Sequence, residues 1–197
     1  MSTSDLFQNF IKPTTQGIEK SPVGESKTAE HEILFQNFVK PADEPREMEL
    51  AINLIKKFEG YRDKAYLCPA NVWTIGIGTT YYPDYSKVKQ GDVCNEQEAF
   101  GWASWYIEKE ILDPINRKPP VSSVYNSLNC NQRAAIIDFC YNLGVTNFFS
   151  STLLKVMQEN IYDVRIRTEL AKWTKANGVT LQGLVNRRNA EIELYFS

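Results

Sequence analysis

The chain has 197 residues, 23% of them charged, and a formal net charge of −2. That length accommodates one domain with an appendage, and it buries a core without needing disulfide support. The near-neutral balance argues against a nucleic-acid binder. No apolar run approaches the ~18 residues of a membrane span, so no membrane insertion is expected. Residues 1–30 lack the basic start and apolar stretch of a secretory signal.

Charge is unevenly placed. Residues 1–46 hold five Lys/Arg and seven Asp/Glu, whereas residues 47–197 hold seventeen of each. The four cysteines, Cys68, Cys94, Cys130 and Cys140, have spacings that fit no zinc pattern, and the lone histidine is His31. No metal site and no cofactor are expected. Free thiols are the default expectation.

Residues 1–46 are rich in Ser, Thr, Lys, Glu and Pro and show no helical periodicity, so an extended, disordered tail is expected there. The tail contains a repeat. Leu6-Phe7-Gln8-Asn9-Phe10-Ile11-Lys12-Pro13 returns 28 residues later as Leu34-Phe35-Gln36-Asn37-Phe38-Val39-Lys40-Pro41, with seven of eight positions identical. Leu6, Phe7, Phe10, Leu34, Phe35 and Phe38 read as anchors of a duplicated docking motif, because exposed Phe clusters in a polar chain need something to bury them. A flexible coil of that length spans roughly 30 Å. Two copies therefore suit two equivalent sites on an oligomeric partner, where the second contact gains from effective concentration.

The domain is expected over 47–197. Met48, Ala51, Ile52, Ile55 and Phe58 follow helical spacing, which predicts an amphipathic helix over 47–58 ending at Glu59-Gly60. Val72-Trp73-Thr74-Ile75-Gly76-Ile77-Gly78 is β-prone and follows the turn residues Pro69-Ala70-Asn71. With period two, Trp73, Ile75 and Ile77 share one face, and Val72, Thr74 and Gly76 the other. A helix is predicted from Asn95, paired with Glu98 in a capping box, to about Ile111. Pro114 and Pro119-Pro120 are expected to break the chain. Asn129 or Asn131 opens a helix through Leu143 with Gly144 as its C-terminal cap. Ser150 or Ser151 caps a short helix with Leu153, Leu154 and Met157, and further helices are predicted over about 161–176 and 183–196. The fold class is α+β: mostly helical, with a small antiparallel sheet near the start of the domain.

At the helix-to-sheet junction stand Glu59, Cys68 nine positions on, and Thr74 six beyond that. Phe58 and Tyr61 can desolvate Glu59, and desolvation holds a proton on a carboxyl group. Leu54-Ile55-Lys56-Lys57-Phe58-Glu59-Gly60, Tyr66, and Trp73-Thr74-Ile75-Gly76-Ile77-Gly78-Thr79 resemble the active-site segment of phage-type lysozymes, glycoside hydrolase family 24. The spacing of Glu59, Cys68 and Thr74 is similar to the family signature, whose second position is Asp or Cys. Asn131-Gln132-Arg133-Ala134-Ala135 through Phe139-Cys140-Tyr141-Asn142-Leu143-Gly144, with Ser150-Ser151-Thr152-Leu153-Leu154, resembles its central helix and the next one. Gly183-Leu184-Val185-Asn186-Arg187-Arg188, with Ala190-Glu191 and Leu194-Tyr195, resembles its terminal helix. The likeness covers about residues 48–197 and none of the tail.

The resemblance implies a lysozyme-like fold and a muramidase. It would cleave the β-1,4 bond between N-acetylmuramic acid and N-acetylglucosamine in peptidoglycan. It implies Glu59 as general acid, with Cys68 and Thr74 holding or activating the attacking water. An ordinary thiol is mostly neutral at pH 7, so Cys68 changes the chemistry of the second position. Tyr66 and Asn142 align with cleft-lining positions that contact sugar. Arg187 or Arg188 reaches back towards Glu59, with Arg188 taken as site support. The expected partners are peptidoglycan and an oligomeric virion protein of the tail or baseplate, bound by the repeats. The expected location is the virion, or the host cytoplasm until lysis. The alternatives are a free endolysin released through a holin and a silent wall-binding or virion structural module.

Overall fold

A computed structural model describes residues 46–68 and 70–197. The tail and its anchors Leu6, Phe7, Phe10, Leu34, Phe35 and Phe38 lie outside the described residues.

Helix α1 (Arg46–Glu59) buries Met48, Ala51, Ile52 and Ile55 along one stripe, as its spacing requires. It runs into strand β1 (Arg62–Leu67), which pairs antiparallel with β2 (Trp73–Gly76). Tyr66 stands opposite Thr74 and Leu67 opposite Trp73. The connecting turn closes through Asn71 N–H to the Cys68 carbonyl at 2.8 Å and Cys68 N–H to the Val72 carbonyl at 3.0 Å. Val72 is exposed and Trp73 half-buried, while Ile75 and Ile77 enter the core. Thr74 and Gly76, on the opposite face, are buried as well. The reason is the next helix. A Cβ on Gly76 would lie 2.9 Å from the Ala99 Cβ, so a helix packs directly against that face, and the backbone there has φ +62°.

That helix is α2 (Glu96–Tyr106), opened by the expected Asn95/Glu98 capping box. It continues through a π-helical turn (Ile107–Leu112) into α3 (Asp113–Asn116). Pro114 therefore does not break the chain as expected. Proline clashes with the carbonyl four residues back, that of Glu110. The wide turn, in which Asp113 N–H reaches the Glu108 carbonyl, absorbs the clash ahead of the ring.

After the Pro119-Pro120 pair, α4 (Val121–Ser127) is a short helix that the sequence reading did not separate. Helix α5 (Cys130–Leu143) is capped by Asn129, with Gln132 returning the bond, and ends at Gly144. It is buried almost all round, and α1 and α9 (Gln182–Tyr195) pack on it. Between them lie α6 (Val145–Ser150), α7 (Thr152–Glu159, capped by Ser151) and α8 (Arg165–Ala171).

The single helix expected over about 161–176 is a correction. It stops at Ala171, and a second hairpin follows, β3 (Lys175–Ala176) with β4 (Val179–Thr180). Asn177 and Gly178 both have positive φ, 50° and 78°, which suits the tight turn of a two-residue hairpin loop. The four cysteines are free thiols.

Candidate active site

Glu59 is the last residue of α1, and its side chain is 7% exposed. A carboxylate at a helix C-terminus faces the negative end of the helix dipole, so its position needs a compensating cation. Arg187 of α9 supplies one. Its Nη1 donates to Glu59 Oε1 at 2.5 Å, and the guanidinium also lies 5.6 Å from the Phe58 ring centre.

The same guanidinium is clamped from behind. Arg187 Nε and Nη2 donate to the two oxygens of Asp138, both at 2.9 Å, in the parallel geometry that Arg and carboxylates favour. Arg187 and Asp138 are both fully buried. Asp138 comes from the middle of α5, so α1, α5 and α9 meet at one cation. Burial opposes the charge on Arg187, but Asp138 and Glu59 outweigh it and hold the guanidinium firmly protonated. Burial likewise acts to raise Asp138, and the Arg187 charge with hydrogen bonds from Glu191 and Arg187 overcomes it, leaving Asp138 below the usual carboxylate range.

Arg188 belongs one layer deeper. Its Nη2 donates to Asn142 Oδ1 at 3.0 Å and also binds the Glu191 carboxyl, and its guanidinium lies 5.2 Å from the Phe139 ring centre. Arg187, not Arg188, reaches Glu59. Asn142 is 3% exposed with its amide oxygen engaged by Arg188, which places it in the buried network rather than on an open wall.

Burial pushes Glu191 well above the ordinary carboxyl range, against the pull of Arg188. Among the described residues its Oε2 receives no N–H or hydroxyl, yet the side chain hydrogen-bonds Asp138. A neutral Glu191 donating its own O–H to Asp138 satisfies both groups.

On the sheet side, Tyr66 is half-buried, with the Arg62 guanidinium 4.3 Å from its ring centre. Burial raises its phenol, Arg62 pulls it down, and Glu59 and Cys68 raise it further. Cys68 is buried at the hairpin turn. Thr74 is buried across from Tyr66, its hydroxyl donating to the Val72 carbonyl at 3.1 Å. At Gly78, φ +89°, a Cβ would lie 3.8 Å from Glu59 Cγ and 3.7 Å from the Tyr141 hydroxyl. The backbone thus passes close to the carboxylate, and Tyr141 pins it by donating to the Ile77 carbonyl at 2.9 Å.

The sequence reading missed Asp138, Tyr141 and the buried role of Glu191. Asp138 carried a readable signal: a charged residue within the apolar run Ala134–Cys140 demands a buried partner.

Residues 56–191 match the family model of phage lysozymes. The chain is 36% identical over 153 residues to the endolysin of Acyrthosiphon pisum secondary endosymbiont phage 1, covering 76% of this chain and 97% of that protein. It superposes on the endolysin from Escherichia coli O157:H7 phage FAHEc1 with a TM-score of 0.64 at 29% identity, over 75% of this chain and 91% of that one. It superposes on the muramidase domain of SpmX from Asticaccaulis excentricus with a TM-score of 0.59 at 26% identity, over 75% and 95%. A small sheet set on a helical body, with a buried carboxylate at their junction, is the lysozyme-like α+β fold, and the chain belongs to the phage lysozyme family. It is a glycoside hydrolase of the muramidase kind, with peptidoglycan as its substrate.

The Glu191 geometry has a measurable consequence. A carboxyl whose folded pKa is raised above its ordinary value of about 4.5 contributes its full stability below that pH and loses it as pH climbs through the folded value. Glu191→Gln keeps the neutral hydrogen bonds without the titration. Thermal melts from pH 4.5 upward should show the wild type losing stability relative to Glu191→Gln, with the gap widening as pH rises. A gap that stays constant with pH would rule out the buried proton.

Proposed function

We propose that Glu59 is the general acid that protonates the leaving glycosidic oxygen. Cys68 and Thr74 hold the water that attacks the opposite face of the sugar. What carries the reading is the placement of one nearly buried carboxylate at the helix-to-sheet junction, where the strand pair bearing Tyr66 and Thr74 follows directly. In an inverting hydrolase the two groups flank the scissile bond with room for a water between them. Arg187 positions Glu59 without losing its own compensation when Glu59 is protonated, because Asp138 already takes two of its N–H groups. Tyr66, with its exposed neighbour Arg62, offers a ring edge and a hydroxyl to a sugar in the cleft. Asn142 acts through Arg188 rather than on sugar directly.

General acid catalysis contributes about 10²–10⁴-fold. Glu59→Gln should therefore lower the rate of turbidity loss of permeabilised bacteria by at least about a hundredfold. Equal clearing by variant and wild type would refute the assignment and favour a silent wall-binding module.

Cys68 is read as a participant rather than a core filler. Cys68→Asp should stay active, since a carboxylate can hold the same water, and Cys68→Ala should lose about a hundredfold. An alanine variant at the wild-type rate would make the thiol structural.

The tail is read as a tether. The repeated Leu-Phe-Gln-Asn-Phe segments, with anchors Leu6, Phe7, Phe10 and Leu34, Phe35, Phe38, would fix the enzyme to an oligomeric tail or baseplate protein of the virion. Mass spectrometry of purified virions should find the chain at a stoichiometry above trace. Its absence from particles would favour the free endolysin instead.

A further inference from the structure

A group of aromatic rings lies beyond the catalytic junction and is used by none of the steps above. Tyr85 is 67% exposed, and its ring stacks on Tyr81 with centroids 6.2 Å apart and planes 10° from parallel. Trp105 of α2 stands edge-on beneath both, 5.9 Å from Tyr81 and 5.5 Å from Tyr85. Tyr85 is held there against its own backbone preference. Its φ is +62°, a left-handed conformation that a bulky side chain rarely adopts. The turn around it is closed by Tyr85 N–H to the Tyr82 carbonyl at 2.8 Å and Tyr82 N–H to the Ser86 carbonyl at 2.9 Å.

The rings continue towards the junction. Tyr81 lies 6.0 Å from Tyr106, and Tyr106 lies 5.1 Å from Tyr141, whose hydroxyl is fixed beside Glu59 at Gly78. Burial pushes the Tyr106 phenol up to about 12, with Glu110 adding to the shift. Glu110 itself is half-buried, and its charge is felt by both Tyr81 and Tyr106. No hydrogen bond or ion pair to its carboxylate is formed among the described residues. Desolvation alone raises it. Glu110 sits in the π-helical turn, so the local unwinding sets where this carboxylate points.

We propose that Tyr85, Tyr81 and Glu110 form a distal subsite for one N-acetylhexosamine ring of the glycan strand, away from the scissile bond. The inference rests on the muramidase reading. The outer face of Tyr85 is open for the apolar C–H face of a pyranose, the inner face being taken by Tyr81. Glu110 accepts hydrogen bonds from sugar hydroxyls. A sugar is favoured over an apolar partner because this patch pairs aromatic faces with a desolvated carboxylate. An apolar surface would bury that charge unpaired. The packed rings Tyr81, Tyr106 and Tyr141 fix the position of this patch relative to the catalytic junction.

The test uses the full chain carrying Glu59→Gln, which cannot cleave, titrated calorimetrically with a tetramer of β-1,4-linked N-acetylglucosamine. Adding Tyr85→Ala, or separately Glu110→Gln, should weaken binding about three- to tenfold, in line with the worth of one aromatic contact. In the otherwise wild-type enzyme Tyr85→Ala should raise KM on long glycan strands by a similar factor with kcat nearly unchanged. Tyr85→Ala gives up its ring contacts with Tyr81 and the buried Trp105 and should melt a few degrees lower, so binding is compared at a temperature where every variant is fully folded. Unchanged affinity in both variants overturns the subsite. So would a wild-type dimer that Tyr85→Ala dissociates without altering oligosaccharide affinity, since the patch would then cover a second copy. Failure of the wild type to clear cell walls would instead sink the muramidase reading, and the binding arm would still report on the patch.

Discussion

A single buried guanidinium organises this domain. Arg187 is fully enclosed, and an enclosed charge is tolerable only where several well-placed acceptors surround it. Here three of its N–H groups are taken by two carboxylates from two different helices. The end of α1, the middle of α5 and the first half of α9 are thereby brought to one point. Removing any partner would leave an uncompensated charge, at a cost of about 3–5 kcal/mol. The same bond that secures the terminal helix also sets the position of Glu59.

The arrangement reconciles two demands that ordinarily conflict. A general acid must be able to hold a proton, whereas a neighbouring cation favours its ionised form. Three carboxyl groups, Glu59, Asp138 and Glu191, share the region with two guanidinium groups, Arg187 and Arg188. If Glu59 takes up a proton, Arg187 still has Asp138 in bidentate contact, so the cation left behind is not stranded. Asp138, in bidentate contact and held below the usual carboxylate range, is thus the lasting counter-ion of Arg187.

How much of this was legible beforehand depended on the range of the interaction. Short-range signals read well. The α1 stripe and the Asn95/Glu98 box act over three or four residues and appear as expected, and of the paired cap candidates Asn129 and Ser151 are the ones used. The triplet Glu59, Cys68 and Thr74 is local enough for its spacing to imply one junction. Arg187 and Asp138 lie 49 residues apart, and sequence spacing does not say which of two adjacent arginines points inward. The choice falls to helix phase. Residues 187 and 191 lie on one face of α9, and Arg188 is rotated about 100° towards Asn142. Local readings failed where a neighbouring element compensated. Pro114 looked like a stop because the π-helical turn ahead of it was not visible. The last residues of the helix expected over about 161–176 form instead the first strand of a hairpin that turns at Asn177-Gly178.

The Pro114 correction bears on how the enzyme holds a polymer. Residues 47–197 carry equal numbers of positive and negative side chains, so little long-range attraction draws this domain to an anionic wall. Affinity must come from contacts at short range. A proline at position 114 obliges the preceding helix to widen just where Glu110 sits, and the widened turn stands beside Tyr106 and Tyr81. Chain geometry that looks like a defect in a linking helix then serves recognition. It presents a desolvated carboxylate next to stacked rings, a combination suited to sugar and poorly suited to an apolar neighbour. In a domain without electrostatic steering, such a contact, added to those at the catalytic junction, lets the strand be held along its length rather than at one bond.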